Sequence, residues 1–203
     1  MHGYSDRIHH AFAFAAKHRS SSSSSIGKVD TLAHPANLAV ILARYAMEQP
    51  TVVAGILHLV LEVARPVERS GLERKIGEKF GPVVLAIARD AVEPRHDLRG
   101  KELPWRTGKL EFLAHLSSAE PRALDIAVAD EMHLCGVTLT ALRRLGVEYV
   151  RTYAAASSEQ TIWWYRSLIE VLEGRPDWPH REMLDELRLL STDLVRSLRA
   201  HEE

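Results

Sequence analysis

The segment Gln49-Pro-Thr-Val-Val-Ala-Gly-Ile-Leu-His58-Leu-Val-Leu-Glu62-Val-Ala-Arg-Pro66 decides the fold. From Thr51 to Ala64 only His58 and Glu62 carry ionisable groups. A helix of this composition is apolar all round and belongs at the centre of a protein. Thr51 can cap its start, and Arg65-Pro66 breaks its end. The stretch is too short to span a bilayer, which takes ~20 apolar residues.

Working outward, the chain reads as helices joined by short breaks. Ala11, Phe12, Phe14 and Ala15 make a helical stripe within Ile8 to Lys17. The run Ser20 to Ser25 has no apolar anchor, so residues 18–30 are expected to form a flexible surface loop. Pro35 sits at a favoured first helical position, and Leu38, Ile41, Leu42 and Tyr45 continue a stripe up to Gln49-Pro50. After the central helix, Ser70 to Phe80 is amphipathic. Gly81-Pro82 punctuates, and Val83 to Ala91 resumes the helical pattern. Glu93 to Leu103 is polar and carries Pro94 and Gly100, so it reads as a loop. Helices follow over Trp105 to Leu116, Pro121 to Leu145 and Glu148 to Leu172. Pro176 and Pro179 mark a turn before a last helix with Met183, Leu187, Leu190, Leu194 and Leu198 on one face. No segment alternates as a strand would. The expectation is an all-α, irregular multi-helix bundle. Residues 1–175 form its core, and residues 176–203 form a C-terminal helix on that core or at a dimer contact.

Composition narrows the function classes. The 203 residues carry 26 Lys and Arg against 27 Asp and Glu, a formal net charge of -1. Such a balance gives no general attraction to nucleic acid or to an anionic membrane. The single Cys135 cannot form an intrachain disulfide, so a reducing cytoplasm fits best. The N-terminal stretch lacks the continuous apolar region and cleavage site of a signal peptide.

Three ionisable residues stand in apolar or helix-start positions: His34 before Pro35, His58 in the central helix, and Asp130 in Asp125-Ile-Ala-Val-Ala-Asp130. Burying such groups is costly unless they are paired or bind a cation. Imidazole with carboxylate suits Mn, Fe or Zn. Glu62 follows His58 by four residues and His133 follows Asp130 by three, so each pair shares a helix face. Taken singly, such residues are more often hydrogen-bonded core residues than ligands. Trp163-Trp164-Tyr165 and Cys135 read as core packing, and His9-His10 and Arg143-Arg144 as solvated surface.

The order of the motifs adds a family resemblance. Thr31-Leu-Ala-His34-Pro35 resembles the "Y-L-x-H-P" opening of RelA/SpoT-type HD-domain hydrolases, especially the small stand-alone alarmone hydrolases. Ala54-Gly-Ile-Leu-His58-Leu59-Val-Leu-Glu62-Val63 resembles their "A-A-L-L-H-D-x-x-E-D". Trp105-Arg106 through Lys109 is similar to a "W-R-x-R-K" helix. Ala127-Val-Ala-Asp130-Glu-Met-His133-Leu134 is similar to "x-L-A-D-K-L-H-N", and Gln160-Thr-Ile-Trp163-Trp164-Tyr165-Arg166-Ser-Leu168 to "Q-x-W-Y-Y-R-x-L". The match runs in register from about Ile8 to Leu172.

The resemblance implies an all-α fold and one divalent metal, usually Mn²⁺. It implies His34, His58 and Asp130 as metal ligands and Glu62 as a helper in activating the attacking water. It also implies guanosine tetraphosphate (ppGpp) or a related nucleotide as ligand, with release of 3′ pyrophosphate. Three positions depart from the pattern. Leu59 replaces the Asp of the His-Asp pair, Val63 the Asp of the Glu-Asp pair, and Leu134 an Asn implicated in holding the nucleoside. The family's basic segment before His-Pro is largely the serine run, with Lys28 the nearest cation. A lost metal carboxylate should cost at least the ~10–100-fold of a changed outer-shell partner. A lost acid/base group costs about 10²–10⁴-fold. The expectation is an impaired metal site with weak or no hydrolysis. An active phosphohydrolase using His34, His58, Asp130 and Glu62 and a non-catalytic helical interaction domain are the competing readings. Neither a nucleic-acid nor a membrane partner is expected, and a homo-oligomer stays open.

Overall fold

The segment from Thr51 to Glu62 is the axis on which the other helices pack. The computed structural model describes residues 4–19, 32–97, 99–146, 148–149 and 156–200, and the structure is discussed for those residues. Among them are nine α-helices: α1 (Asp6–Arg19), α2 (Ala33–Arg44), α3 (Gln49–Glu62), α4 (Pro66–Phe80), α5 (Pro82–Asp90), α6 (Trp105–Leu116), α7 (Pro121–Leu145), α8 (Ser158–Glu173) and α9 (Arg181–Arg199). The expected all-α architecture is what forms. The one β feature among the described residues is an isolated antiparallel bridge between His96 and Glu102.

Every residue of α3 from Thr51 to Glu62 is buried. Helices α1, α2, α4, α5 and α7 all lie against it. Burying a Val, Leu or Ile side chain contributes roughly 1.5–3 kcal/mol, and Val53, Ile56, Leu57 and Leu61 are fully buried here. Gly55 sets how closely α2 approaches, because a methyl group there would lie 2.7 Å from Leu42 Cδ1. Gly81 joins α4 to α5 at φ 92°, a conformation that L side chains rarely adopt.

Helix α7 is the second long support. Its start is tied to the end of α5, where the Glu120 amide donates to Asp90 Oδ2 at 2.7 Å. It crosses α2 and α3, and α9 lies along it. Met183, Leu184, Leu187, Leu194 and Leu198 of α9 are buried. Two polar contacts fix this docking. The fully buried Trp178 donates its Nε1–H to Asp125 Oδ1 at 2.7 Å, and His180 Nδ1 reaches the same oxygen at 2.6 Å. The hydroxyl of Tyr45, just past the end of α2, donates to Glu186 of α9.

Several local expectations need correction. Thr51 does not cap α3; the helix starts at Gln49 behind Glu48, with Pro50 in its first turn, where a missing N–H costs nothing. By the same rule Pro66 opens α4 four residues before Ser70. Positions 18 and 19, expected in the loop, extend α1, because the burial of Phe14 and Ala15 carries the helical backbone through a further turn. The rest of that expected loop, with the serine run and Lys28, lies outside the described residues. Glu148 to Leu172 is not one helix. Ser157 starts α8 with a capping box, its hydroxyl accepting from the Gln160 amide while the Gln160 side chain accepts from the Ser157 amide. Trp164, Tyr165 and Cys135 are buried, Trp163 packs half-buried against the core, and Arg143 and Arg144 are exposed.

Replacing Trp178 by Phe keeps an aromatic ring but removes a donor from the buried Asp125 carboxylate. Leaving a buried polar group under-satisfied costs roughly 1–3 kcal/mol. Urea unfolding of Trp178→Phe should show a loss of that size. An unchanged midpoint would mean that this contact does not hold the C-terminal helix.

Candidate metal centre

Helix starts and one central helix bring the site together. His34 stands in the first turn of α2, ahead of Pro35. His58 and Glu62 project from α3 one turn apart. Asp130 and His133 come from the middle of α7. One ligand atom from each of His58, Glu62 and Asp130 lies within 4.8 Å of the others. His34 joins them through a hydrogen bond between its Nε2 and Asp130 Oδ1. The four side chains singled out in the sequence thus share one locus, although 96 residues separate His34 from Asp130.

His58 is oriented by its own helix. Its Nδ1 lies 2.6 Å from the Gly55 carbonyl, so Nδ1 carries the proton and Nε2 keeps a lone pair. Burial pushes its pKa below the ordinary imidazole value, against the opposing pull of Asp130 and Glu62. A neutral imidazole is the form that ligates a metal. Burial alone would raise the Asp130 carboxyl. The His34 hydrogen bond, with the positive charges nearby, outweighs it and holds Asp130 ionised.

His133 stacks on His34, with ring centroids 4.3 Å apart and planes inclined by 26°. Its Nδ1 accepts from Asn37 Nδ2 at 2.9 Å. Burial, and then the neighbouring His34 charge, push its pKa down to about 4. It is therefore a neutral wall of the site.

Glu62 is 9% exposed, and it is not unpartnered. Arg95 reaches its Oε1 with Nε at 3.0 Å and also with Nη2. Beyond Arg95 runs a second set of buried charges. Lys109 Nζ binds Glu93 at 2.7 Å and Glu131 at 3.4 Å, and sits 3.9 Å from the centre of the Trp164 ring. Burial lowers the Lys109 pKa, but Glu131 and Glu93 more than compensate and keep it charged. Burial raises the Glu93 pKa despite Lys109.

Sequence reasoning missed Arg95 and Glu93, which fell in a stretch read only as a polar loop. The available signal was a carboxylate in an apolar helix, which needs a cation. With 26 Lys and Arg in the chain, the pattern alone could not say which one. The departures are also placed. Leu59 is 3% exposed, Val63 borders a cavity of about 720 Å³ with His18 and Lys75, and Leu134 is at the surface. None of the three offers a donor.

The donors at this locus, two imidazoles and two carboxylates, are of the kind that fits a borderline divalent ion. A groove of about 740 Å³ begins at Asn37 and His133 and runs between α2, α7 and α9. Ile41 and Val137 line it, and Arg44 and Arg144 stand along it.

Comparisons with known proteins agree with this architecture. A family model for the HD domain matches residues 11–116, just over half of the chain. No curated protein matches. The crystal structure of lmo0812 from Listeria monocytogenes EGD-e superposes with a TM-score of 0.65 at 20% identity, covering 81% of this chain and 99% of that one. A metazoan ortholog of SpoT, reported to hydrolyse ppGpp and to play a role in starvation responses, superposes with a TM-score of 0.62 at 18% identity. The overlap covers 98% of this chain and 96% of that one. At these identities the two likenesses speak to the fold.

The low His133 pKa gives a pH dependence with a definite sign. An unfolded chain takes up this proton near pH 6.5, whereas the folded protein resists it until about pH 4. The unfolded state binds more protons between those values, so stability falls as pH drops from about 6.5 towards 4. Denaturant titrations of metal-stripped protein should show a shallower fall in His133→Gln than in the native sequence. Parallel curves would place the proton uptake elsewhere.

Proposed function

The chain belongs to the HD-domain family, and from that premise we propose that it is a RelA/SpoT-type member that binds a ppGpp-like nucleotide, with a weakened metal site and slow or no hydrolysis. His34, His58 and Asp130 are the ion ligands in this reading. Glu62 is the acid/base group and the only carboxylate that α3 supplies to the site. The observation that carries it is the composition of α3 at the centre: His58 faces Asp130 and Glu62, while Leu59 and Val63 give no donor.

Binding and turnover separate in this arrangement. Arg44 and Arg144 can pair with phosphates, and the apolar lining between them suits a nucleoside. The groove's beginning at His133, beside His34, would lead such a ligand to the metal ligands. A divalent ion there would supply Lewis-acid polarisation of a phosphoryl oxygen and acidify an attacking water. The neutral His58 and ionised Asp130 are already in ligand form. Glu62 would take the proton from water, but its Oε1 is engaged by Arg95. With Val63 in place of a second acid, no neighbouring carboxylate on α3 shares that task.

One observation favours a second reading, an active phosphohydrolase. The ligand atoms of His58, Glu62 and Asp130 lie within 4.8 Å of one another, so Glu62 can stand in for the carboxylate missing at position 59. As a ligand it would be a poor base, which again points to slow turnover.

Calorimetric titration of metal-stripped protein with Mn²⁺ tests the ligand assignment. Binding should be stoichiometric and lost in His58→Ala. No binding at millimolar Mn²⁺ would overturn it. In the doubly restored Leu59→Asp/Val63→Asp protein, Mn²⁺ should bind at least ~10-fold tighter. Release of pyrophosphate from ppGpp should rise by about 10²-fold or more. A native protein that already turns over as fast as the restored one would favour the second reading.

A further inference from the structure

We infer that Arg95 is a built-in counter-cation of this site, competing with a divalent ion for Glu62 and thereby setting the ion affinity. The inference rests on the second reading above, in which Glu62 joins His58 and Asp130 as an ion ligand.

Three observations support it. First, two nitrogens of the Arg95 guanidinium converge on one oxygen of Glu62, Oε1, in charge-assisted hydrogen bonds. Second, the partners differ in burial: Glu62 is 9% exposed, but the Arg95 side chain is 53% exposed. The carboxylate is fixed within the protein, while the cation reaches it from the solvent side, so a guanidinium displaced by an ion returns to water and the ion takes over its charge. Third, Arg95 belongs to no helix. It lies in the connection between α5 and α6, whose backbone is closed by its own contacts. The Leu103 amide donates to the Arg95 carbonyl at 2.9 Å, and Asp97 Oδ1 accepts from the Arg99 and Lys101 amides. The guanidinium can therefore leave Glu62 without disturbing a helix.

Without Arg95, the carboxylate of Glu62 would stand unpaired in a buried site beside neutral His58 and the Asp130 carboxylate, which has His34 as its hydrogen-bond partner. That arrangement favours a doubly charged cation. With Arg95 present, one carboxylate is already neutralised. An ion that recruits Glu62 must share it with a guanidinium or displace it, and the two cations repel at close range in a low-dielectric setting. Leu59 sharpens the competition, because a carboxylate there would hold the ion whatever Glu62 did.

The test compares Mn²⁺ titrations of the full chain, with thermal unfolding as a second readout. In Arg95→Gln the side chain can still donate a hydrogen bond but carries no charge. Its Mn²⁺ affinity should rise at least ~10-fold, the scale on which outer-shell changes act, and saturating Mn²⁺ should raise its Tm more than that of the native protein. Arg95→Lys keeps the charge but loses the fork and should fall between the two. In a Glu62→Gln background the effect of Arg95→Gln on Mn²⁺ affinity should vanish. If binding depends on His58 but Arg95→Gln leaves it unchanged or weaker, the competition is overturned and Arg95 only positions Glu62. If neither the native chain nor any Arg95 variant binds Mn²⁺, the ligand reading itself fails and this inference falls with it. A lowered Tm in Arg95→Gln would then mark a purely structural ion pair.

Discussion

Everything in this structure follows from burying a helix that carries two ionisable groups. The apolar residues of α3 draw α1, α2, α4, α5 and α7 around it, and the same collapse takes His58 and Glu62 out of water. A charge in such a place must be neutralised, paired or bound to an ion. The protein uses the first two devices at once. His58 stays neutral, its Nδ1–H donating to the Gly55 carbonyl, and Glu62 is met by Arg95. Gly55 serves both ends of this arrangement, since its lack of a side chain also lets Leu42 of α2 come close. That approach brings His34 alongside.

The polar interior is one neighbourhood of alternating sign. Asp130 lies between His34 and His58, Glu62 meets Arg95, and Lys109 is shared by Glu93 and Glu131. Buried pairs of this kind contribute little net stability compared with apolar packing, but breaking one partner is costly. In the ligand assignment proposed above, neutral His58 and ionised Asp130 already stand in ligand form, and the Glu62–Arg95 pair is the part that would have to give way.

Much of this is legible in the sequence because it is written in local patterns. The period of Met183, Leu187, Leu194 and Leu198 requires a helix whose one face is covered, and α9 lies along α7 in that way. The i, i+4 spacing places His58 and Glu62 together, and the i, i+3 spacing places Asp130 and His133 together. Joining the two pairs across the chain takes the order of the family-like motifs, because no local rule encodes that contact. Boundaries near Pro50 and Pro66 are ambiguous because proline serves equally to end a helix and to begin one. Ser157 is hidden although Ser-x-x-Gln is a capping signature, since the flanking residues carry a helical pattern of their own. Arg95 is not legible at all. Its role depends on the path of an irregular segment, and irregular backbone has no periodicity to read.

The division of the site between α2–α3 and α7 bears on how the protein comes into being. The HD-domain match ends at residue 116, so it holds His34, His58, Glu62 and Arg95 but not Asp130. A chain emerging from the ribosome has made its first half well before the aspartate appears. Glu62 and its partner Arg95 both belong to that first half, whereas the partner of His34 comes only with α7. Closing a loop of this length costs entropy that grows only slowly with length, and the apolar docking of α7 onto α2 and α3 supplies the return. Assembly of the His34–His58–Glu62–Asp130 cluster is thus a late event in biogenesis, reached only by chains whose distant halves have already found each other.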